Sequence, residues 1–365
     1  MPDKYIYDFE QSLLDIQNRI DELQLTSTKT GVDVTLKIND LREELKQKAI
    51  DIYTNLDRWQ KVQIARHPDR PHAIDYINLI TSYWFELHGD RNYADDKSIL
   101  SGLATIDDHK VVIIAQEKGR GTKDKLFRNF GMPKPEGYRK ALRIMKLAEK
   151  YDLPIITLID TPGAYPGIGA EQRGQAGAIA SSIECCMSLK VPIISIIVGE
   201  GGSGGAIALA SANKVLMLEN AIYSVISPEG CASILWRDPS KALEAAKAMK
   251  LTANELLKMK IIDEIIKEPI GGAHRNRDQI LVSIETSLTN SLDEFKDYTR
   301  EEIYEQRKQK FLNIGTQGTF KIFSSKNILA NKNNLFASFR EILSKFKKEV
   351  IIIALLILGA FLFLF

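Results

Sequence analysis

The chain has 365 residues, 44% of them hydrophobic and 26% charged, with a formal net charge of +2 at pH 7. That is enough apolar material for one large or two modest cored domains, which excludes a disordered protein. The charge balance hides an asymmetry: residues 318–349 hold seven Lys/Arg against Glu341 and Glu349, so the rest is mildly acidic and lacks a nucleic-acid footprint.

From Asp8 to about Ile64, "FEQSLLDIQNRIDEL" and "LREELKQKAIDIYTNLDRWQKVQIA" repeat apolar residues at helical spacing. They predict two amphipathic helices interrupted near "TSTKTGVDV". Pro68 and Pro71 in "RHPDRPHAIDYI" end this pattern, which makes residues 1–65 an N-terminal helical arm. From Ile99 the rhythm changes. Apolar runs at 110–116, 153–160, 191–198, 213–219 and 221–227 alternate with helical patterns such as "GYRKALRIMKLAEKYD", the signature of an α/β core over 66–270 with helices on the faces of a sheet. Residues 271–317 read as one or two amphipathic helices, and 318–365 as a basic extension ending in the uncharged run Val350–Phe365. As a helix those sixteen residues span roughly 24 Å, slightly less than a ~30 Å hydrocarbon core, so a membrane contact through 350–365 is expected.

Cys185, Cys186 and Cys231 form no C-x-x-C pair and no even set, which suits a reducing compartment and supports no structural zinc site. The N-terminal "MPDKYIYDFEQSLL" lacks the basic-then-apolar pattern of a secretory leader. A cytoplasmic location, with a membrane contact through the tail, is the expectation.

The most informative stretch is the octet "GEGGSGGA", residues 199–206, between an apolar run and a small-residue helix pattern. As a phosphate loop it fails, because Gly205 and Ala206 stand where Lys and Ser/Thr are needed. As a dinucleotide fingerprint it fits, since Gly199, Gly201 and Gly204 match G-x-G-x-x-G and Glu219 follows at the right spacing. A nicotinamide oxidoreductase is therefore one reading. The other starts from a second strand–turn–helix, "LPIITLIDTPGAYPGIGAEQRGQAGAIA", with its own glycines. Two glycine turns that open helices expose backbone N–H groups to one pocket, and such groups can form an oxyanion hole. Packing alone is the third reading of the glycines. The five histidines are scattered, "GGSGG" has no partners identifiable as a triad, and Asp160 and Glu171 stand where they would orient the second turn. The basic stretch "EKGRGTKDKLFR", with Lys118, Arg120, Lys123, Lys125 and Arg128, is either a phosphate or acidic-carrier contact or a solvated loop.

Seven blocks in order carry a family resemblance: "ARHPDRP", "GDRNYADDKSI", "RNFGMPKPEGYRKALR", "DTPGAYPGIGAEQRGQ", "GEGGSGGAIAL", "YSVISPEGCASILW" and "EPIGGAHRN". Over residues 5–317 the chain resembles the carboxyltransferase alpha subunit of multi-subunit acetyl-CoA carboxylase. The resemblance implies a crotonase-like fold, a spiral of strand–strand–helix units, and an alpha2beta2 assembly with a beta subunit that holds acetyl-CoA and carries any zinc. It implies transfer of a carboxyl group from carboxybiotin, presented by the biotin carboxyl carrier protein, to acetyl-CoA, giving malonyl-CoA for fatty acid synthesis. Biotin carboxylase is expected in the larger complex, with no covalently bound cofactor on this chain. Carried onto this sequence, the amides of Gly204, Gly205 and Ala206 are the expected oxyanion hole, Gly201 and Gly202 shape the approach, and Gly163, Ala164 and Gly167 line the facing wall. Lys118, Arg120 and Lys123 are the expected contacts to CoA or carrier. The alternatives are the nicotinamide enzyme and a noncatalytic crotonase-like scaffold. Residues 318–365 have no counterpart in the family pattern.

Overall fold

The computed structural model describes residues 5–315. Their organisation follows from where isoleucine and valine are concentrated. Eight strands form one sheet: β1 (Tyr83–Glu86), β2 (Ile99–Ile106), β3 (His109–Gln116), β4 (Ile155–Thr161), β5 (Ile193–Gly202), β6 (Lys214–Leu218), β7 (Ile222–Ser224) and β8 (Glu264–Ile266). The order is β1-β2-β3-β4-β5-β6-β8, with β7 paired to β5 off that path. Every residue of β4 and β5 is buried, which is why these segments read as unbroken apolar runs rather than alternating ones. Pairing is antiparallel from β1 to β3 and parallel from β3 through β6 to β8.

The long strand β5 changes partner along its length. Ile194–Ile197 pair with β6, whereas Glu200, Gly201 and Gly202 pair with Ile222, Tyr223 and Ser224 of β7. On its other side the ladder to β4 shifts register between Ile159 and Thr161 and resumes at Thr161↔Gly201. The sheet thus bends at the residues where both glycine-rich turns begin.

Helices cover the faces. Pro135–Lys150 starts with Pro at N1 and buries Tyr138, Ala141, Ile144, Met145 and Ala148. The helix Ser203–Ala210 is fastened through carbonyls at its far end to the sheet and to the helix Gln175–Ser188. Thr157 and Ser195 hydroxyls donate to Leu209 O at 3.0 and 3.2 Å, and Ser182 Oγ donates to Ala208 O at 2.6 Å. Further on, Arg277–Glu294 and Arg300–Asn313 are the two helices that the C-terminal pattern predicts. Arg307, fully buried, reaches from the second to Leu189 O at 2.5 Å.

At the N-terminal end, helices Gln11–Thr30 and Thr35–Thr54 pack through Ile16, Ile20 and Ile38, with Leu23, Leu41 and Leu45 beside them. The break falls where expected, at Gly31, whose φ of 73° closes the first helix in the left-handed conformation. A third helix, Arg58–Ala65, starts at Asp57, whose side chain accepts from Gln60 N at 2.8 Å. The pattern had merged it with the second. Strands β1, β2 and β8 were also not singled out from the sequence.

One expectation is overturned. No helix among the described residues is long and apolar enough to cross a membrane. The expected membrane contact through 350–365 falls outside the described residues.

Candidate functional site

The octet is split by the fold. Gly199, Glu200, Gly201 and Gly202 belong to β5, and Ser203, Gly204, Gly205 and Ala206 form the first turn of the helix Ser203–Ala210. Ser203 makes the corner with φ 51°, a left-handed conformation for a residue with a side chain. This split removes the nicotinamide reading: in a dinucleotide fingerprint the first glycines form the turn, but here Gly199 and Gly201 are strand residues, the second of them paired to β7. Glu219, which that reading needs for a ribose, is instead engaged by Lys267 at 2.8 Å.

The two glycine turns meet backbone to backbone. A Cβ on Gly205 would lie 2.6 Å from the carbonyl carbon of Gly163 and 2.9 Å from Ala164 N. One on Gly202 would lie 2.2 Å from Pro162 O. Glycine is required at both positions by close approach rather than by torsion. Gly163 itself has φ 154°, and its N–H and C=O are both held by Thr161 Oγ1, at 3.1 and 2.7 Å. Gly167 stands further along, at the start of the helix Ile168–Gln172, with the Tyr165 ring as its nearest neighbour. Gly201 backs onto the Tyr223 ring.

The helix Ser203–Ala210 has no side-chain cap at its N-terminus. Its first N–H groups have no intrahelical acceptor, and the helix dipole makes them favourable to negative charge. Ser203 and Gly204 are half-buried, whereas Gly205 and Ala206 are buried. Ala164, on the facing turn, is also half-buried. Behind the helix, Gln116 Nε2 donates to Gly205 O at 2.7 Å and so fixes the plane of the Gly205–Ala206 peptide.

Under the turns lies a chain of charges. Lys118 Nζ sits 2.7 Å from Asp160 Oδ1 and 2.7 Å from Glu200 Oε2. Glu200 Oε1 pairs with Arg66 Nε at 2.6 Å, and Arg66 continues to Glu229 at 2.7 Å. Asp160 Oδ1 also accepts the Glu200 N–H at 2.9 Å, and His72 Nδ1 lies 3.8 Å from its other oxygen. Burial by itself pushes both carboxyls up. Lys118, helped by His72 at Asp160 and by Arg66 at Glu200, overcomes burial and holds both below the usual carboxylate range. The same two carboxylates raise the Lys118 ammonium against the opposing effect of its burial.

Lys118 is therefore internal, and its Nζ is committed to two carboxylates. Arg120 pairs with Asp75 at 2.5 Å while remaining 44% exposed, and Lys123 is exposed on the helix Gly121–Phe127. Glu171 is exposed. Composition and motif reading missed Arg66, Gln116 and the role of Glu200. One signal was available: a carboxylate within the apolar strand "IIVGEGG" must find a cation once buried. Among the described residues no group of three or more His, Cys, Asp or Glu is placed to hold a metal ion. Two cavities, of about 520 and 640 Å³, lie by the N-terminal arm and do not include the glycine turns.

Comparison with known proteins identifies the family and the fold. A family model described as acetyl co-enzyme A carboxylase carboxyltransferase-like matches residues 6–315. The acetyl-coenzyme A carboxylase carboxyl transferase subunit alpha of Pelagibacter ubique is 52% identical over 366 residues, covering 99% of both chains. The proteins of that name from Zymomonas mobilis and Thermus thermophilus are 53% and 50% identical, each covering 84% of this chain and 98% of their own. The extension after residue 317, without a counterpart in the family pattern, thus has one in the Pelagibacter protein. Among solved structures, transcarboxylase 12S with hydrolysed methylmalonyl-coenzyme A bound gives a TM-score of 0.52 at 17% identity, over 65% of this chain and 44% of that one. A Pseudomonas malonate decarboxylase hetero-tetramer in complex with coenzyme A gives 0.50 at 15%, over 70% and 93%. These likenesses show the fold, a crotonase-like α/β architecture. By sequence, the chain belongs to the family of carboxyltransferase alpha subunits of acetyl-CoA carboxylase.

Proposed function

We propose that this chain forms the carboxybiotin half of a carboxyltransferase that converts acetyl-CoA to malonyl-CoA. The observation that carries the reading is the uncapped N-terminus of the helix Ser203–Ala210, pressed against the second glycine turn at Gly163–Ala164. Carboxybiotin, presented by the carrier protein, supplies the carboxyl group and, once that group has left, the base for the acetyl methyl proton. The chain's own part is electrostatic. The amides of Gly204, Gly205 and Ala206 meet the oxygen on which negative charge develops, with half-buried Gly204 the most accessible of the three. Such donors are worth about 10²–10³ in rate each. Gly201 and Gly202 keep the end of β5 slim, and Gly163, Ala164 and Gly167 shape the opposite wall. Asp160 and Glu200 are held charged and turned inward by Lys118 and Arg66, so they serve the scaffold rather than proton transfer.

The reading includes a beta subunit that holds acetyl-CoA in an alpha2beta2 assembly. Val225, just before the helix Pro228–Trp236, and Ile234, Leu235 and Trp236 at its end are exposed apolar side chains that suit such a partner. Biotin carboxylase completes the larger complex. Of the basic stretch, Arg120 and Lys123 remain able to meet a phosphate or an acidic carrier surface. The test is reconstitution of the purified chain with a beta subunit, carboxylated carrier and acetyl-CoA. Malonyl-CoA is expected only when this chain is present, and an intact complex that makes none refutes the proposal.

A further inference from the structure

We infer that Lys118 is a positioning residue that clamps the two glycine turns together and thereby sets the geometry of the amide pocket. The assignment rests on the carboxyltransferase reading above. Asp160 lies two residues before Pro162, in the strand that feeds the "TPGAYPG" turn, and Glu200 lies two residues before Gly202, in the strand half of the octet. One ammonium at 2.7 Å from a carboxylate of each ties the turns at their roots. The turns then touch at their tips, Gly202 on Pro162 and Gly205 on Gly163. The lysine stem is itself held: a Cβ on Gly131 would lie 2.8 Å from Lys118 Cγ and 2.9 Å from Asp160 O. That contact is made by a turn in which Asn129, Phe130 and Gly131 all have positive φ, of 49°, 56° and 77°, and strained backbone of this kind persists only when its surroundings impose it.

Without Lys118, Asp160 and Glu200 face each other with only His72 at one and Arg66 at the other. Arg66 is shared with Glu229. Two like charges then push apart the walls that the lysine holds together.

The test compares the assembled enzyme with Lys118→Met, Glu200→Gln and the double variant. Lys118→Met is expected to lose about 100-fold in kcat, the usual effect of a displacement near 1 Å, with the acetyl-CoA KM within about twofold of wild type. Glu200→Gln, which keeps the side-chain shape, loses less and serves if the lysine variant does not fold. The double variant is expected to be about tenfold faster than Lys118→Met, because it no longer buries the surplus carboxylate. Amide hydrogen exchange over 161–167 and 199–206 should accelerate together in Lys118→Met. A kcat within about threefold of wild type, exchange unchanged at both turns, or a loss confined to acetyl-CoA KM and relieved by salt overturns the clamp. A wild-type complex that transfers no carboxyl group sinks the carboxyltransferase reading instead, and the exchange data still decide the clamp.

Discussion

Gly205→Ala isolates the contact on which the proposed pocket depends. The added methyl would lie 2.6 Å from the Gly163 carbonyl carbon, whereas ordinary contact begins near 3.4 Å, so the turns must part by about 0.8 Å. The neighbouring atoms are backbone, and no side-chain rotation relieves the clash. Overpacking of this size costs about 1–3 kcal/mol of stability. A shift approaching 1 Å at the reacting centre costs roughly 10²-fold in rate. The assay is malonyl-CoA formation by the reconstituted complex, with assembly followed by size-exclusion chromatography and stability by thermal unfolding. Gly204→Ala is the stability control, since its methyl would sit 3.6 Å from Ile179 in ordinary contact and its melting temperature should match wild type or exceed it. A Gly205→Ala complex that assembles and turns over within threefold of wild type refutes the reasoning, because the pocket would then not depend on the approach of the two turns.

Other consequences are open to measurement. His67 and His274 stack at 3.8 Å with buried ring nitrogens. Burial lowers both, and with the adjacent His67 it takes His274 from 6.5 to about 3. Because the folded values are depressed, stability is complete above pH 6.5 and falls as the pH drops, by roughly 1 kcal/mol per unit from His274 alone. Chemical denaturation across this range should show a steeper slope for wild type than for His274→Gln, and equal slopes would contradict the assignment. Arg307→Ala should cost about 3 kcal/mol, since it leaves a cavity and strips the carbonyls of Leu189 and Val191 of their donor. An unchanged unfolding midpoint would show that the last helix docks without it. Arg120→Ala with Lys123→Ala should raise the acetyl-CoA KM or the carrier KM severalfold and flatten its salt dependence. Wild-type values for both substrates across a salt series would make this a solvated loop.

Much of the candidate site is legible in the sequence. The octet and the "TPGAYPG" turn stand out because glycine clusters between apolar runs have few structural explanations, and their repeated strand–turn–helix form predicts that they converge. The literal dinucleotide match at Gly199, Gly201 and Gly204 shows the limit of that evidence. Spacing alone does not tell whether a glycine sits in a strand or in the turn after it. That depends on β7, a three-residue strand that captures Glu200–Gly202.

By itself the sequence determined the local elements with strong periodicity or long apolar runs, the breaks at Gly31 and after the N-terminal arm, and the ordered blocks that carry the family. These are properties of residues close together in the chain, where 3.6-residue spacing and buried β-branched runs leave a direct trace. Only the tertiary structure decided the short strands β1 and β8, whose four and three residues are too few to show a period. It also decided the meaning of Lys118. In the sequence that residue belongs to an exposed-looking basic run, yet its partner Glu200 is 82 positions away. A charge announces its sign in the sequence, but whether it meets solvent, a ligand or a buried carboxylate is settled by packing alone.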